Sequence, residues 1–215
     1  MLKKRNKDKT NAKARLLKVA EELFAEKGFE GTSIREITSK AGTHLSAVSY
    51  HFGGKEGLYR AVFNIPFAER ATKIRNAFVA RISTGVNTSQ EVIQALAESV
   101  IFGPMDDFER SIHFKLLARE LSEPSDAFEI IKSKAIGPLA KAFKNSLKPF
   151  YPKLSEERLI MAILSIFAQI IYFNFARAKV SALVGRPYDN LFKKELIDHI
   201  TLFSLTGLEG LSADK

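Results

Sequence analysis

The sequence predicts an all-α protein of about nine or ten helices in two domains. Apolar residues recur three and four positions apart along most of its 215 residues, which is the spacing of one helix face. No segment gives a convincing strand pattern, and two capping-box sequences mark helix starts. Because 46% of the residues are apolar, the chain can fill a small core and a larger one. We expect an N-terminal three-helix bundle at residues 1–58 and a larger helical domain at 59–215.

The first helix is predicted at about residues 10–27, where apolar residues share one face and Gly28 follows as the stop. That face consists of Leu16, Ala20, Leu23 and Phe24. The positions before this helix are rich in lysine and arginine. Residues 1–60 hold 13 Lys and Arg against 7 Asp and Glu, whereas residues 61–215 hold 20 against 17. The excess of positive charge in the shorter, N-terminal part is typical of a surface that meets DNA.

Residues 32–55, TSIREITSKAGTHLSAVSYHFGGK, contain two short helices joined by a turn. Ser33 and Glu36 form a capping box, in which the hydroxyl accepts from the Glu36 amide and the carboxylate returns to the Ser33 amide. Gly42 allows the turn, because glycine adopts a positive φ at little cost. Two short helices in this arrangement form a helix-turn-helix, whose second helix enters the major groove of DNA.

Small and polar residues cover most of the second helix, so that base edges and phosphates can approach it. Tyr50 and His51 could instead pack the small domain, but Val48 and Phe52 already occupy the core-facing positions. The residues that we expect to contact DNA are Thr32, Ser33, Arg35, Thr43, His44, Leu45, Ala47, Ser49, Tyr50, His51 and Lys55.

Residues 12–63 resemble the N-terminal DNA-binding domain of TetR-family transcriptional regulators. The resemblance lies in the run ELFAEKGFEGTSIREI, the AG turn, the YHF triplet and the KEGLYRAV opening of the next helix. Two positions depart from the family pattern. Ser49 stands where a second tyrosine is frequent, which removes one phosphate or base contact. Gly54 stands where Ser or Thr commonly caps the fourth helix, which weakens that cap by about a few tenths of a kcal/mol.

The remaining helices follow in order along the chain. A fourth helix runs from near Lys55 towards Ile82 and is expected to kink or break at Pro66, which removes a hydrogen-bond donor. Residues 83–89 form a loop, and Thr88 with Glu91 opens the fifth helix through a second capping box. Two further helices are predicted at about 106–122 and 125–149, the second of them bent by Pro138.

The segment LIMAILSIFAQIIYFNFA (159–176) is apolar on nearly all sides. Its length suits a membrane span, but polar residues are spread through it and no second span accompanies it. An interface helix has the same character, and an amphipathic helix follows at about 189–206. We therefore predict no membrane contact and a homodimer that forms through helices at about 156–180 and 189–206. TetR-family members dimerise through their last two long helices, so the resemblance implies the same interface.

The C-terminal part also resembles the ligand-binding domain of the CecR-type branch of the family, in HFKLLARELSEPSDAFEII (113–131) and AQIIYFNFARAKVSALVG (168–185). This resemblance implies a small-molecule effector held between the middle helices, where the chain is rich in phenylalanine. Each aromatic residue taken alone is more typical of an ordinary core, and the charged residues nearby are more often solvated or paired, as Arg119 could be with Glu123. The candidate ligand-binding residues are Phe67, Phe102, Met105, Arg110, His113, Phe114 and Phe167.

No catalytic, metal or cofactor site is predicted. The chain has no cysteine, and its four histidines do not fall at metal-ligand spacing. The run Gly53-Gly54-Lys55 lacks the rest of a phosphate-binding loop. Absence of cysteine suits a reducing cytosol, so we expect a cytoplasmic protein. An enzyme on an all-α scaffold is the least favoured class.

The combined expectation is a homodimeric, ligand-responsive transcriptional regulator that binds a palindromic double-stranded DNA operator. Repression, with release by a small and largely apolar molecule, is the role that the family resemblance implies. The alternative is a constitutive DNA-binding or architectural dimer without an inducer, because a filled aromatic core and an aromatic cavity look alike in sequence.

Overall fold

The computed structural model describes the backbone of residues 2–213 and the side chains of residues 11–213. Every regular element in this part of the chain is a helix, as the sequence predicts. The basic side chains at positions 3–9, which contribute to the predicted positive charge of the N-terminal part, lie outside the described side chains.

Twelve α-helices succeed one another over residues 2–213. They are α1 (Leu2–Lys27), α2 (Ile34–Ala41), α3 (Ser46–Phe52), α4 (Lys55–Val62), α5 (Ala68–Ser83), α6 (Ser89–Ile101), α7 (Asp107–Ser122), α8 (Ala127–Ile131), α9 (Gly137–Leu147), α10 (Glu156–Phe175), α11 (Arg177–Val184) and α12 (Asn190–Ala213). Two π-helical turns, Phe63–Phe67 and Lys132–Ile136, join α4 to α5 and α8 to α9, and a 3₁₀ turn follows α9 at Lys148–Phe150.

The prolines act as the sequence predicts, although the helix bounds differ in detail. Pro66 lies within the first π-helical turn, which divides the long predicted fourth helix into α4 and α5. A proline lacks the amide hydrogen that an α-helix needs at this point, and the wider turn accommodates it. Pro138 occupies the first turn of α9, where no amide partner is needed. The segment predicted as one bent helix at 125–149 is therefore α8, a π-helical turn and α9.

The terminal helices also differ from their predicted bounds. The first helix begins at Leu2 rather than near residue 10. The predicted interface helix at 156–180 ends at Phe175, and a separate helix, α11, begins two residues later. The last helix extends to Ala213 rather than ending near residue 206.

The chain forms two compact units whose division is not linear in sequence. The first comprises Met1–Glu69 with Ser111–Lys132, and the second comprises Arg70–Arg110 with Ser133–Lys215. The expected boundary between residues 58 and 59 places all of 59–215 in one domain. The packing instead groups most of α7 and all of α8 with the N-terminal helices.

A chain of aromatic rings forms the centre of the first unit. Phe24 and Tyr59 meet edge to face with ring centroids 4.9 Å apart, and Tyr59 meets Phe63 at 5.1 Å. Phe63 meets Phe67 at 5.3 Å, and Phe67 stacks on His113 at 4.1 Å. All five side chains are buried. Edge-to-face and stacked pairs add roughly 0.5–1.5 kcal/mol each beyond area burial, so these contacts help to bind residues 111–132 to the N-terminal helices.

The second unit is built around α6. Nearly every position of α6 from Val92 to Ile101 is buried, and the helix packs against α9, α10 and α12. α12 turns Leu196, Ile200 and Leu208 inwards. A helix that is buried on most sides is the centre of a bundle rather than a surface helix.

Candidate nucleic-acid interface

Ser33 caps α2, the first helix of the predicted helix-turn-helix, as expected, but only half of the capping box forms. Ser33 has an extended backbone, and its hydroxyl accepts from the Glu36 amide at 3.1 Å. The Glu36 carboxylate does not return to Ser33. It accepts from Lys27 Nζ at 2.6 Å and lies 3.4 Å from Lys40 Nζ. Lys27 is a better partner because its charge adds to the hydrogen bond, and this pair holds the pKa of the Glu36 carboxyl below its ordinary value.

The turn between α2 and α3 depends on a glycine and on an arginine from α1. Gly42 adopts φ 59° and ψ 47°, the left-handed conformation in which helices commonly end. Arg15 Nε donates to the carbonyl of Ala41 at 2.9 Å, so α1 satisfies an acceptor at the end of α2. Arg15 is not among the residues predicted from sequence, because nothing in its spacing distinguishes it from other surface arginines.

The helix α3 exposes three of its seven side chains to solvent, those of Ser46, Ser49 and Tyr50, and three others are half-buried. Val48 is its one buried residue, and Phe52, predicted with Val48 at the core-facing positions, is half-buried. Tyr50 is 69% exposed, and its ring meets the His51 ring edge to face at 4.9 Å. Leu45 is also exposed just before the helix. Apolar contact with a thymine methyl group is one of the ways in which base pairs are read in the major groove.

Thr32 is a correction to the predicted DNA-contacting residues. Its side chain is 1% exposed, and its hydroxyl donates to the carbonyl of Gly28 at 2.8 Å, with the Leu23 carbonyl at 3.3 Å. These bonds satisfy carbonyls at the C-terminal end of α1, so the side chain of Thr32 faces the protein and cannot contact DNA.

The other predicted contacts are at least partly accessible. Thr43 is half-buried, and its hydroxyl oxygen lies inside the protein with no hydrogen-bond partner among the described residues. The exposed side chains of the predicted set are those of Ser33, Arg35, His44, Leu45, Ser49 and Tyr50, whereas Ala47, His51 and Lys55 are half-buried. Their contacts with DNA stay predictions.

The start of α4 explains the second departure from the family pattern. Gly54 precedes α4 with φ 127°, a conformation that L-residues rarely adopt, and no side chain caps the helix there. A Ser or Thr at this position would therefore be strained in the present backbone. Lys55 follows, with its Nζ 4.2 Å from the centre of the Phe29 ring. This cation–π contact holds the ammonium group at the end of α4 that is predicted to face DNA.

The last turn of α7 holds the C-terminal end of α1. Arg119 donates to the carbonyls of Ala25, at 3.1 Å, and Glu26, at 2.6 Å. Gly28 has φ 76°, and a Cβ at that position would lie 2.9 Å from Nη1 of Arg119. Glycine is therefore required there both by backbone conformation and by the close approach of Arg119. The sequence allowed a salt bridge between Arg119 and Glu123. The guanidinium of Arg119 is instead directed to the carbonyls of α1.

Glu120 holds a second contact within the first unit. Tyr59 donates its hydroxyl to Glu120 Oε1 at 2.6 Å, and the Ser125 amide donates to Oε2 at 3.0 Å. Burial raises the pKa of the Tyr59 phenol, and the hydrogen bond to Glu120 raises it further. A crevice of about 870 Å³, lined mainly by charged side chains, lies beside the pair. Neither Tyr59 nor Glu120 is among the residues singled out from the sequence.

The predicted ligand-binding residues divide between the two units. Phe67, His113 and Phe114 belong to the first unit, where the His113 ring stacks on Phe67 and meets Phe114 edge to face at 5.3 Å. Phe102, Met105, Arg110 and Phe167 belong to the second unit. Phe167 is half-buried with its ring 6.0 Å from that of Phe143.

Arg110 does not offer the free guanidinium that the prediction assumes. It is buried and donates to the carbonyls of Val100, Gly103 and Met105, the last at 2.6 Å. These carbonyls lie at the end of α6 and in the loop that follows, where helix acceptors lack backbone partners. Arg110 thus stabilises this loop, and its Nη atoms are occupied by backbone acceptors rather than aimed at a ligand.

An exposed apolar stripe runs along α10. Its members recur three and four residues apart, as one helix face requires, and they are Met161, Leu164, Ala168, Tyr172 and Phe175. On α12, Leu202 and Phe203 are exposed as well. A groove of about 350 Å³, which includes Tyr172, His199 and Phe203, separates the two faces. α10 is also long and apolar enough to cross a membrane by composition alone, a test that core helices pass as well.

A half-exposed recognition helix on a small helical unit defines a DNA-binding protein of the helix-turn-helix class. Residues 16–62 match the profile of bacterial regulatory proteins of the tetR family, and residues 89–208 match the C-terminal domain of the HTH-type transcriptional dual regulator CecR. The chain belongs to the TetR family of transcriptional regulators and carries a CecR-type C-terminal domain. Proteins of this family are DNA-binding regulators and not enzymes.

Similar proteins support the same assignment. The chain is 24% identical over 215 residues to the HTH-type transcriptional dual regulator CecR of Shigella flexneri, a match that covers 94% of this chain and 93% of the relative. A transcriptional regulator from Rhodococcus sp. Rha1 has a TM-score of 0.58 at 17% identity, with 91% and 96% of the two chains covered. HlyIIR, a hemolysin II transcriptional regulator, has a TM-score of 0.57 at 22% identity, with 90% and 98% covered. Both likenesses establish the fold.

The accessible residues on and around α3 are predicted to divide into two roles. Tyr50→Ala and Lys55→Ala should each weaken binding about equally to all DNA sequences. Lys55→Ala should also reduce the slope of log Kd against log salt concentration by about 1, because one phosphate contact is lost. His44→Ala should instead change which base is preferred at one position of each half-site, by about 1–3 kcal/mol. Binding to a set of single-base operator variants at several salt concentrations measures both effects. Identical behaviour of all three variants would contradict the division.

Proposed function

We propose that this protein is a homodimeric, ligand-responsive repressor that binds a palindromic operator through α3 and releases it when a small molecule binds. The observation that carries the DNA-binding part is α3 itself, a short helix with one buried residue and an otherwise accessible surface. The side chains proposed to meet DNA are the exposed and half-buried members of the predicted set, without Thr32.

The dimer is proposed from the stripe on α10 and its neighbours on α12. Leu164 is 55% exposed within the stripe, with the exposed Met161 before it and the exposed rings of Tyr172 and Phe175 after it. Contiguous apolar surface of this kind is uncommon on a monomer and marks a contact with another molecule. A second copy of the chain fits it best, because a two-fold interface pairs each helix face with its own equivalent. Two copies of α3 about 35 Å apart would then read successive major grooves.

The response to a ligand is proposed as an antagonism between effector and operator. A ligand shifts an equilibrium only by its difference in affinity for two states, so it must favour a conformation in which the two α3 helices no longer match the operator. We propose that residues 111–132 pass a conformational change on to the DNA-binding helices, because Arg119 and Glu120 bind α1 and Tyr59 directly. Repression is the role proposed for the ligand-free dimer, in the cytoplasm, where the target DNA lies.

The proposal is tested by selecting bound sequences from a random duplex library with purified, ligand-free protein. A palindrome with half-sites about one helical turn apart is expected, and its occupancy should fall when an effector is added. A selected site without dyad symmetry would contradict dimeric reading. A palindrome that no compound in a broad screen releases would favour a constitutive DNA-binding dimer instead.

A further inference from the structure

A cluster of ion pairs in the second unit joins the start of α7 to α11 and α12. Asp107 is the first residue of α7. Its Oδ1 accepts from Lys193 Nζ at 2.9 Å and from Arg177 Nη1 at 3.1 Å, and its Oδ2 lies 3.3 Å from the same ammonium group. One carboxylate therefore serves two cations from different helices.

The burial of these groups is unequal. The side chain of Lys193 is only 7% exposed and that of Arg177 18%, whereas the side chain of Asp107 is 67% exposed. A buried ammonium group requires a close anion, since it has lost its hydration. Here that anion is held largely in water, and the hydrogen bond from Lys193 is the main cause that keeps the pKa of the Asp107 carboxyl below its ordinary value.

A third cation increases the imbalance. Arg110 is buried, and it lies close enough to Arg177 and Asp107 for their charges to act on it. Its Nη atoms bond to neutral backbone carbonyls, which do not cancel its charge, and its Nε has no hydrogen-bond partner among the described residues. Asp106 also acts on Arg110, but Asp106 is exposed and its carboxylate accepts from the Glu109 amide. Two buried cations, Arg110 and Lys193, and the partly buried Arg177 thus face mostly exposed carboxylates.

Two aromatic rings flank the cations. The Cζ atom of Arg177 lies 5.3 Å from the centre of the Tyr188 ring, and that ring is fixed by a bond of 2.8 Å from its hydroxyl to the Phe173 carbonyl. Lys193 Nζ lies 6.0 Å from the centre of the Phe102 ring, which is partly exposed. Buried cations beside accessible aromatic carbon are suited to a ligand with an anionic head and an apolar body.

We propose that Lys193 and Arg177 bind the carboxylate of a small apolar or aromatic acid, and that Asp107 occupies this position when the acid is absent. The site already accommodates a carboxylate, because both oxygens of Asp107 lie within reach of the cations. The acid would displace the Asp107 side chain into the water that surrounds it and place its apolar body against Phe102 and Tyr188. This inference rests on the proposed function, since it names the class of effector and its site.

Displacement of Asp107 has a direct consequence for α7. The same helix carries Asp107 in its first turn and Arg119 and Glu120 in its last. Loss of the bonds to α11 and α12 frees the first turn of the helix whose last turn holds α1 and Tyr59. The acid is therefore an effector whose binding is coupled to operator binding through one continuous helix.

The test is calorimetric titration of the purified protein with benzoate, phenylacetate and octanoate, and with the amide of each acid. The acids should bind at least tenfold more tightly than the amides. Asp107→Asn should tighten acid binding roughly five- to tenfold, because an ion pair with a largely exposed partner no longer competes. Lys193→Met should abolish it, and Lys193→Arg should restore part of it. Glu195, like Lys193, lies on α12, and Glu195→Gln, which breaks the pair with Arg186 of the preceding loop, should change nothing.

Several outcomes would overturn the inference. Equal affinity for amides and acids would show that the site does not recognise an anion. Unchanged acid binding in Asp107→Asn would show that Asp107 does not compete with the acid and has a structural role alone. Tighter binding of phenyl phosphate than of benzoate would show that the site binds phosphate esters in preference to carboxylates, against the inference. If these results occur while a neutral compound still releases the operator, the inference fails and the proposed function stands. If acids bind as expected but neither they nor any other compound changes operator affinity, the proposed ligand response fails.

Discussion

Leu164→Glu is expected to convert the dimer into monomers and to lower operator affinity by about 100-fold or more. Leu164 lies in the middle of the apolar stripe on α10, so a two-fold interface would bury its replacement beside the partner's apolar residues. A buried carboxylate without a cation is strongly unfavourable. A dimer gains affinity because the second α3 binds at a high effective concentration once the first is bound, and monomers lose this gain. Sedimentation analysis and titration of a labelled operator measure the two effects.

Leu183→Glu is the matched control. It introduces the same charge at a leucine that is more exposed still, near the end of α11 and outside the stripe. The control should remain dimeric and should retain operator affinity within a few-fold. A Leu164→Glu protein that remains dimeric would exclude this face of α10 as the interface, and a monomer with unchanged operator affinity would contradict dimeric reading of DNA.

Local features of the fold follow from sequence because their causes are local. Pro66 interrupts a helix wherever it stands, and Gly42 permits its turn without help from distant residues. One of the two hydrogen bonds of each capping box could be predicted for the same reason. Ser33 and Thr88 cap their helices as expected, since a hydroxyl reaches the third amide along the chain. The return bond of Glu36 depends on competition with a lysine nine residues away, which the local pattern does not contain.

The candidate sites were less predictable because long-range packing determines them. Thr32 shares the polar character of its neighbours in the predicted DNA-contacting set, but its buried hydroxyl donates to a carbonyl at the end of α1. Arg110 was expected to meet a ligand and instead bonds to backbone carbonyls. Lys193 lies on a helix that was predicted only as an interface, and its burial beside Asp107 spans 86 positions in sequence. Charge and spacing alone give no indication of such a pair.

Glu120→Ala is expected to lower the free energy of unfolding by about 2–4 kcal/mol. Glu120 is 1% exposed and accepts from Tyr59 and from the amide and hydroxyl of Ser125. Its removal leaves the Tyr59 hydroxyl buried without this acceptor and opens a gap beneath the turn that leads into α8. Tyr59→Phe should cost less, about 1–2 kcal/mol, because the carboxylate keeps its bonds to Ser125. Urea unfolding of each variant, at equal protein concentration, measures these differences.

Glu123→Ala is the control for charge, since Glu123 is exposed three positions further along, and it should change stability by no more than about 0.5 kcal/mol. The same variants decide where the DNA-binding domain ends. If residues 1–58 suffice for operator binding, Glu120→Ala folded at low temperature will bind the operator as tightly as Glu123→Ala. If residues 111–132 are part of the DNA-binding unit, as their packing on α1 and Tyr59 indicates, operator affinity will fall even where the protein is fully folded. The second result is expected, because Tyr59 lies one turn after Lys55 on α4, and Glu120 fixes the position of that helix.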